Sequence, residues 1–120
     1  MKWNLEANRP IFTQLVEIIQ KDIASGALKP EEKLQSVRSL AAEAKVNPNT
    51  VQKAYRELER MGLVHSKRTS GKFVTEDKNV IEELRKRIAW NTINTFFGSM
   101  GQLGFTRTEA LSLAKILEKT

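Results

Sequence analysis

The chain has 120 residues and a net charge of +6, with 20 Lys and Arg against 14 Asp and Glu. This length allows one small domain with an appendage, and the positive charge favours an anionic partner such as nucleic acid. Because there is no cysteine, disulfides, thiol catalysis and thiolate metal sites are excluded, and with no apolar signal segment at the N-terminus we expect a cytoplasmic protein.

The first part of the chain predicts two helices joined by a turn. Apolar residues at helical spacing follow Pro10, and Gly26 is well placed to end this first helix in a left-handed conformation. Ser36 predicts the cap of a second, shorter helix, whose buried face begins at Val37. Trp3 and its neighbours precede both helices, and we expect them to form a peripheral arm.

Residues 47–55 predict a third helix that displays polar side chains. Asn47 is a typical helix cap, and Pro48 falls at the first helical position, where its missing N–H is no loss. Val51 and Tyr55 recur at helical spacing and face the core, with the Tyr55 hydroxyl expected at the rim. The side chains that point outward are amide, hydroxyl and cationic groups, namely Asn49, Thr50, Gln52, Lys53 and Arg56.

The residues of this helix alone leave two interpretations open. Amide and cationic side chains hydrogen-bond adenine and guanine edges in the major groove of DNA, which favours base readout. An ordinary solvated helix face carries the same residue types. The charge distribution favours the first interpretation, because residues 45–72 contain seven Lys or Arg and only two acids, which is nearly the whole positive excess.

After Gly62, which is expected to end the third helix, the hydrophobic pattern changes to period 2. Residues 63–65 and 73–75 predict two short strands joined by a basic turn at 67–71. Such a hairpin is marginally stable alone, so we expect it to pack against the helices. The order of helices, turn and hairpin is that of a winged helix-turn-helix, which we place in residues 1–76.

Residues 77–120 predict a short tail of two helices. Past the middle of the first helix, large apolar residues surround much of its circumference, so the helix needs cover on several sides. A tail of this length cannot supply that cover alone. We therefore predict a dimer interface formed by Ile81, Leu84, Ile88, Trp90, Ile93, Phe96, Phe97 and Met100. The alternative for the three aromatic residues is the lining of a small-molecule pocket.

Glycines and one capping motif divide the tail. Gly98 and Gly101 fit close helix approach, a kink or an early helix end. Gly104 is expected to stop the long helix, and Thr106 followed by Glu109 is a capping-box pattern that opens the last helix. The uncharged stretch 88–106 is not expected to span a membrane, because polar residues and three glycines interrupt it. The expected fold is mainly α (α+β), a winged helix-turn-helix domain followed by this two-helix dimerisation tail.

Several of these segments resemble the GntR family of transcription regulators. The likeness appears at residues 10–15, 23–30 and 34–41, and it is closest over 46–64. It covers roughly residues 10–75, and the short tail resembles the YtrA-type subfamily. The resemblance implies a dimeric, sequence-specific DNA-binding regulator, usually a repressor. Because a dimer holds two recognition helices about one DNA turn or a multiple apart, we expect an inverted-repeat operator.

The resemblance also implies which residues contact DNA. The family's contact positions are occupied by Arg38 and by the start of the third helix, at Asn47, Pro48, Asn49, Thr50 and Gln52. Arg68 and Thr69 occupy the tip of the hairpin, the wing, which enters the minor groove. We expect the amides to read bases and Lys53 and Arg56 to contact phosphates. Thr50 is equally suited to bonding its own backbone.

Three departures from the family pattern accompany the match. Glu31 stands where the family usually has glycine, so its turn is expected to differ or to carry strain. Gln35 replaces the usual proline before the second helix, which loosens the entry without changing a contact. Thr69 and Ser70 replace the glycine–lysine pair common in the wing.

No Gly-rich phosphate loop and no nucleophile–base pair is present, so we expect no enzyme, no metal site and no cofactor. His65, the single histidine, is expected to be neutral and partly buried. Two rival functions remain open. One is a protein-interaction module that uses a winged helix without binding DNA; the other is a DNA-binding switch that responds to a small-molecule effector, of unknown identity, bound in the tail.

Overall fold

The computed structural model describes residues 3–67 and 71–120. Its elements in chain order are α1 (Ile11–Ser25), α2 (Val37–Ala44), α3 (Pro48–Arg60), β1 (Val64–Lys67), β2 (Gly71–Val74), α4 (Lys78–Gln102) and α5 (Arg107–Glu118). The expected fold class, mainly helical with one small hairpin after the third helix, is confirmed. None of the helices described is both long enough and apolar enough to cross a membrane.

The chain divides into two compact units, residues 1–85 and 86–120. The division falls inside α4, which is one continuous helix. The functional boundary that the sequence pattern places near residue 77 stays a prediction.

Local sequence signals set the helix boundaries of the first unit. The predicted stop at Gly26 is confirmed, because this residue has φ +85° and its N–H caps α1. Ser36 caps α2, and its hydroxyl accepts a hydrogen bond from Ser39 N at 3.1 Å. Asn47 caps α3 in the same way, with its Oδ1 2.8 Å from Asn49 N. The predicted start of the third helix is therefore correct.

The core of the first unit lies between α1, α2 and α3, with the hairpin against α3. Its largest fully buried side chains are Tyr55, Leu15, Ile23, Leu40, Leu58, Leu63, Leu84, Val51 and Val74. Tyr55 is 2% exposed, and its hydroxyl donates to Gln35 O at 2.8 Å. Burial raises the pKa of Tyr55 to about 12. The sequence suggested that the Tyr55 hydroxyl lies at the rim. In the structure this hydroxyl is instead used in a hydrogen bond inside the fold.

Trp3 belongs to the core, although the sequence predicted a peripheral arm, whereas residues 6–10 after it are exposed. Trp3 is 7% exposed, and its Nε1 donates to Glu43 Oε2 at 2.5 Å. The buried side-chain amide of Gln14 fixes the backbone at Glu6 and Arg9. It accepts a hydrogen bond from Glu6 N at 2.7 Å and donates to Glu6 O and Arg9 O at 2.8 and 3.0 Å. Hydrophobic periodicity could not predict the burial of Trp3, because a single aromatic side chain forms no repeating pattern.

The hairpin pairs Val64 with Val74 and continues in antiparallel register to Lys67 opposite Gly71. Residues 31–34 run along the other edge of β2, with Glu31 N donating to the carbonyl oxygen of Val74 at 3.0 Å. Glu31 has φ +65°, a left-handed conformation that an L-residue with a Cβ rarely adopts. The left-handed backbone agrees with the expectation that glutamate carries strain at this position.

The second unit contains the rest of α4 and α5. α4 continues through Gly98 and Gly101 to Gln102, so neither glycine ends the helix. Gly104 follows with φ +91°, as expected of a stop residue. The predicted capping box is confirmed: Thr106 N donates to Glu109 Oε1 at 2.9 Å, and Glu109 N donates to Thr106 Oγ1 at 3.1 Å.

Candidate nucleic-acid interface

The third helix has one buried face and one polar exposed face. Val51, Ala54, Tyr55 and Leu58 are buried against the first unit. On the other side the predicted contact residues are accessible: Asn47, Pro48, Asn49, Lys53 and Arg56 are exposed, and Thr50 and Gln52 are half-exposed. The buried face fixes the orientation of α3, so this polar face is presented on a rigid support.

Two guanidinium groups of this region are free for an external partner. Arg38 is exposed on α2, which packs against α3, and Arg56 is exposed on α3 itself. Within residues 3–67 and 71–120, neither makes an ion pair with a carboxylate. Arginine presents several donors in a fixed planar arrangement that fits phosphate or a guanine edge. Their availability supports the role expected of both residues.

Lys53 has a partner that the sequence did not indicate. Its Nζ lies 4.0 Å from the centroid of the Phe12 ring on α1. A cation–π contact at an exposed site is worth about 0.5–1 kcal/mol. This is too little to keep the ammonium from a phosphate, so the contact orients Lys53 without removing it from the candidate set.

The lysines of the hairpin are already paired inside the chain. Lys67 Nζ lies 3.1 Å from Glu31 Oε2, and Lys72 Nζ lies 2.9 Å from Glu59 Oε1. The sequence predicted a basic hairpin, but the charge of these two lysines is compensated by carboxylates. The cations left for an external partner, in the part of the hairpin that is described, are therefore fewer than the composition suggests.

His65 lies on the same side of the hairpin as Glu31 and is half-exposed, as expected. Its Nε2 is 2.8 Å from Glu31 Oε1, and its ring stacks on Phe73 with centroids 6.2 Å apart. Hydrogen bonds from His65, and then from Lys67, lower the pKa of Glu31 below its ordinary value. The role of His65 in this structure is thus a hydrogen bond to the Glu31 carboxylate. No group of three possible metal ligands occurs among the residues described.

The wing tip predicted from the resemblance, Arg68 and Thr69, lies outside the described residues. The described strands end at Lys67 and resume at Gly71. The role of the tip therefore stays a prediction.

The residues predicted for a dimer interface differ in accessibility. Trp90 is 63% exposed, and Ile93 and Phe96 are also exposed. Four others, Ile81, Ile88, Phe97 and Met100, are half-exposed. Leu84 is 1% exposed. Leu84 is therefore enclosed within the single chain, and the dimer interface as a whole stays a prediction.

Further exposed apolar residues extend this surface beyond the predicted set. They lie in the turn after α4 and on α5, namely Leu103, Phe105, Leu111, Leu113, Ile116 and Leu117. Only Ala110 is buried in α5 as described. Among the residues described, these side chains are therefore left largely uncovered.

Known proteins are similar to this chain over the winged helix-turn-helix. The family model described as bacterial regulatory proteins, gntR family, matches residues 12–74. The chain is 36% identical over 106 residues to the Bacillus subtilis protein named uncharacterized HTH-type transcriptional regulator YhcF, and the match covers 88% of each chain. It is 41% identical over 71 residues to the B. subtilis HTH-type transcriptional repressor YtrA, covering 59% of this chain and 55% of that protein.

A solved structure extends the similarity to the tail. A GntR family transcriptional regulator from Listeria monocytogenes superposes with a TM-score of 0.85 at 37% sequence identity. The match covers 92% of this chain and 97% of that one. The similarity therefore includes the elements after residue 74 as well as the winged helix-turn-helix.

Proposed function

The chain belongs to the gntR family of bacterial regulatory proteins, and from this premise we propose that it is a repressor that binds an inverted-repeat DNA operator as a homodimer. It is a transcription regulator with a winged helix-turn-helix of the YtrA and YhcF type rather than an enzyme. The observation that carries the proposal is the rigidly anchored α3 with its accessible polar face. A cytoplasmic location is part of the proposal, since the target is DNA.

Base readout is assigned to the first turn and a half of α3. Asn49 and Gln52 carry amides that match the donor and acceptor pattern of adenine in the major groove. Asn47 and Pro48 build the start of the helix, and we expect them to contact the DNA backbone there. Thr50 sits half-exposed between these readers, where it either contacts DNA or bonds locally.

Backbone contacts are assigned to the cations around this face. Arg38, Lys53 and Arg56 are exposed and sit on α2 and α3, where they can bind phosphates on either side of the base contacts. Arg68 and Thr69 are proposed to enter the minor groove from the wing. Each phosphate contact releases condensed counterions, so operator affinity is expected to fall steeply with salt.

Dimerisation is assigned to the apolar surface of the tail. Trp90, Ile93 and Phe96 are large and exposed in the single chain, and aromatic residues are enriched in interface cores. Exposure of several large apolar side chains in one short segment is unfavourable in water and is typical of a protein interface. A two-fold symmetric dimer presents two copies of α3, and this symmetry is the reason for proposing an inverted repeat.

Random-site selection with the purified full chain tests the proposal. The enriched sequences are expected to contain an inverted repeat, and the logarithm of affinity is expected to fall linearly with that of salt concentration, with a slope of about −0.9 per phosphate contact. Absence of enrichment together with salt-independent retention would favour a protein-interaction module instead. Repression is tested by in vitro transcription from a promoter that overlaps the selected site, where addition of the protein should lower transcript yield.

A further inference from the structure

A three-residue network joins the last turn of α3 to both strands of the hairpin. The Ser66 hydroxyl donates to Glu59 Oε2 at 3.0 Å, and the Lys72 ammonium donates to Glu59 Oε1 at 2.9 Å. The same ammonium lies 2.9 Å from the Ser66 hydroxyl oxygen, which closes the network. Ser66 and Lys72 are opposite each other in the strand register, so one carboxylate reaches both strands at the same level.

The hairpin needs this support because its strands are short. Each strand has four residues, and a hairpin of that size is marginal without packing against another element. At its base, Leu63 N donates to Leu58 O at 3.0 Å, which ties the residue before β1 to the end of α3. Residues 31–34 hold the outer edge of β2, and Val64 and Val74 are buried in the core. The Glu59 network adds a side-chain attachment that joins α3 directly to both strands, further along the hairpin.

Glu59 is an acidic residue in a domain that is proposed to bind a polyanion. Hydrogen bonds from Lys72, and then from Ser66, lower its pKa, so the carboxylate is ionised at neutral pH. A negative charge on a DNA-binding domain is repelled by phosphates and by itself weakens binding. Glu57, two residues earlier, provides a contrast, because its carboxylate pairs with Arg60 within α3.

We propose that Glu59 is a positioning residue for DNA binding, which holds the wing against the recognition helix through Ser66 and Lys72. The two DNA-binding elements then meet the duplex in one fixed relative orientation. This inference rests on the DNA-binding function proposed above. Lys72 then has a structural role rather than a phosphate contact, because its ammonium is bound to Glu59 and its side chain is only 22% exposed.

The test compares Glu59→Gln with Glu57→Gln in the full chain. Each variant loses one negative charge from the same helix, so electrostatics alone predicts unchanged or tighter binding for both. We expect Glu59→Gln to weaken binding to the selected operator by about fivefold, the size of one lost hydrogen-bonding attachment, while Glu57→Gln does not weaken it. Fluorescence anisotropy measures both affinities. Equal behaviour of the two variants, or tighter binding by Glu59→Gln, overturns the inference.

A double-mutant cycle with Arg68→Ala separates positioning from a general loss of stability. If Glu59 acts through the wing, removal of the wing contact at Arg68 makes Glu59→Gln nearly silent, at about twofold or less. Full additivity of the two losses overturns the inference. Should Glu59→Gln fail to fold, Ser66→Ala removes one exposed part of the network and is compared in the same way. A wild-type chain that binds no DNA overturns the proposed function as well, whereas the variant results concern Glu59 alone.

Discussion

The two units of this chain treat their apolar residues in opposite ways. The first unit encloses Leu15, Leu58 and Val74 completely, with α1, α2 and the hairpin arranged around α3. The second unit leaves Trp90 and Leu117 mostly exposed, although its helix α5 begins with a complete capping box. Helix formation and burial are therefore separate properties of a sequence. Local capping determines where a helix begins, whereas burial requires a partner surface.

This contrast indicates different origins of stability. The first unit is expected to fold from its own contacts, because its core is closed within residues 1–85. The second unit has only Ala110 buried among the α5 residues described, so its stability is expected to depend on association. Unfolding of the tail should therefore depend on protein concentration, whereas unfolding of the winged helix-turn-helix should not.

The largest effect is expected from truncating a core residue of the first unit. Leu58→Ala removes a side chain that is 0% exposed, and it is expected to lower the free energy of unfolding by about 2–5 kcal/mol. The matched substitution in the second unit, Leu117→Ala, removes a side chain that is 71% exposed and should change the stability of a monomeric chain by under about 0.5 kcal/mol. Urea denaturation followed by circular dichroism measures both. Similar losses in dilute protein would mean that the two units do not differ.

The next effect concerns association of the tail. Trp90→Asp combined with Phe96→Asp places two charges on the exposed apolar surface and is expected to yield a monomer. Affinity for the full inverted repeat should fall by about 100-fold or more, because the second half-site is no longer bound through a linked subunit. Sedimentation equilibrium and anisotropy report the two quantities. Asn91→Asp, at an exposed polar position, serves as the control, and a double variant that remains dimeric would place the interface elsewhere.

Much of the fold follows from local chemistry and was therefore predictable. Ser36, Asn47 and Thr106 cap their helices through hydrogen bonds that span two or three residues, and such short-range bonds are visible in sequence. Gly26 ends α1 because its φ of +85° favours glycine. The strain at Glu31 was also accessible, since a residue with a Cβ stood at a position where the family has glycine.

What could not be predicted depends on contacts between distant residues. The buried Trp3 donates a hydrogen bond to Glu43, forty positions away, and no periodic pattern links the two. Likewise, the pairing of Lys72 with Glu59 depends on strand register and on the placement of the hairpin against α3. The candidate DNA-binding residues on α3 were identified because helical periodicity assigns their side, whereas the charge state of the hairpin required the three-dimensional structure.

A smaller effect is expected at Glu31, within the first unit. Glu31→Gly and Glu31→Gln both remove the carboxylate that bonds His65 and Lys67, but only glycine also relieves the left-handed φ of +65°. We therefore expect Glu31→Gly to melt about 2–5 °C above Glu31→Gln, since relief of this strain outweighs the extra backbone freedom of glycine in the unfolded chain. Differential scanning calorimetry compares the two variants. Equal midpoints would show that the turn relaxes without cost.

The smallest effect is the loss of one phosphate contact at Lys53. Lys53→Ala should weaken binding to all DNA sequences by a similar factor and reduce the salt slope by about 1, because one counterion fewer is released. Lys21→Ala, which removes an exposed lysine from α1, is the matched control and should leave the slope unchanged. An unchanged slope for Lys53→Ala would exclude Lys53 from the contact set.

A Phe12→Leu variant separates the two roles of the Lys53 ammonium. It removes the aromatic ring that lies 4.0 Å from Nζ but keeps the charge. The salt slope should therefore persist, while the affinity changes by less than about threefold. If Phe12→Leu also reduced the slope, Lys53 would need its aromatic partner to reach the phosphate, and the first unit would owe part of its DNA affinity to a contact between α1 and α3.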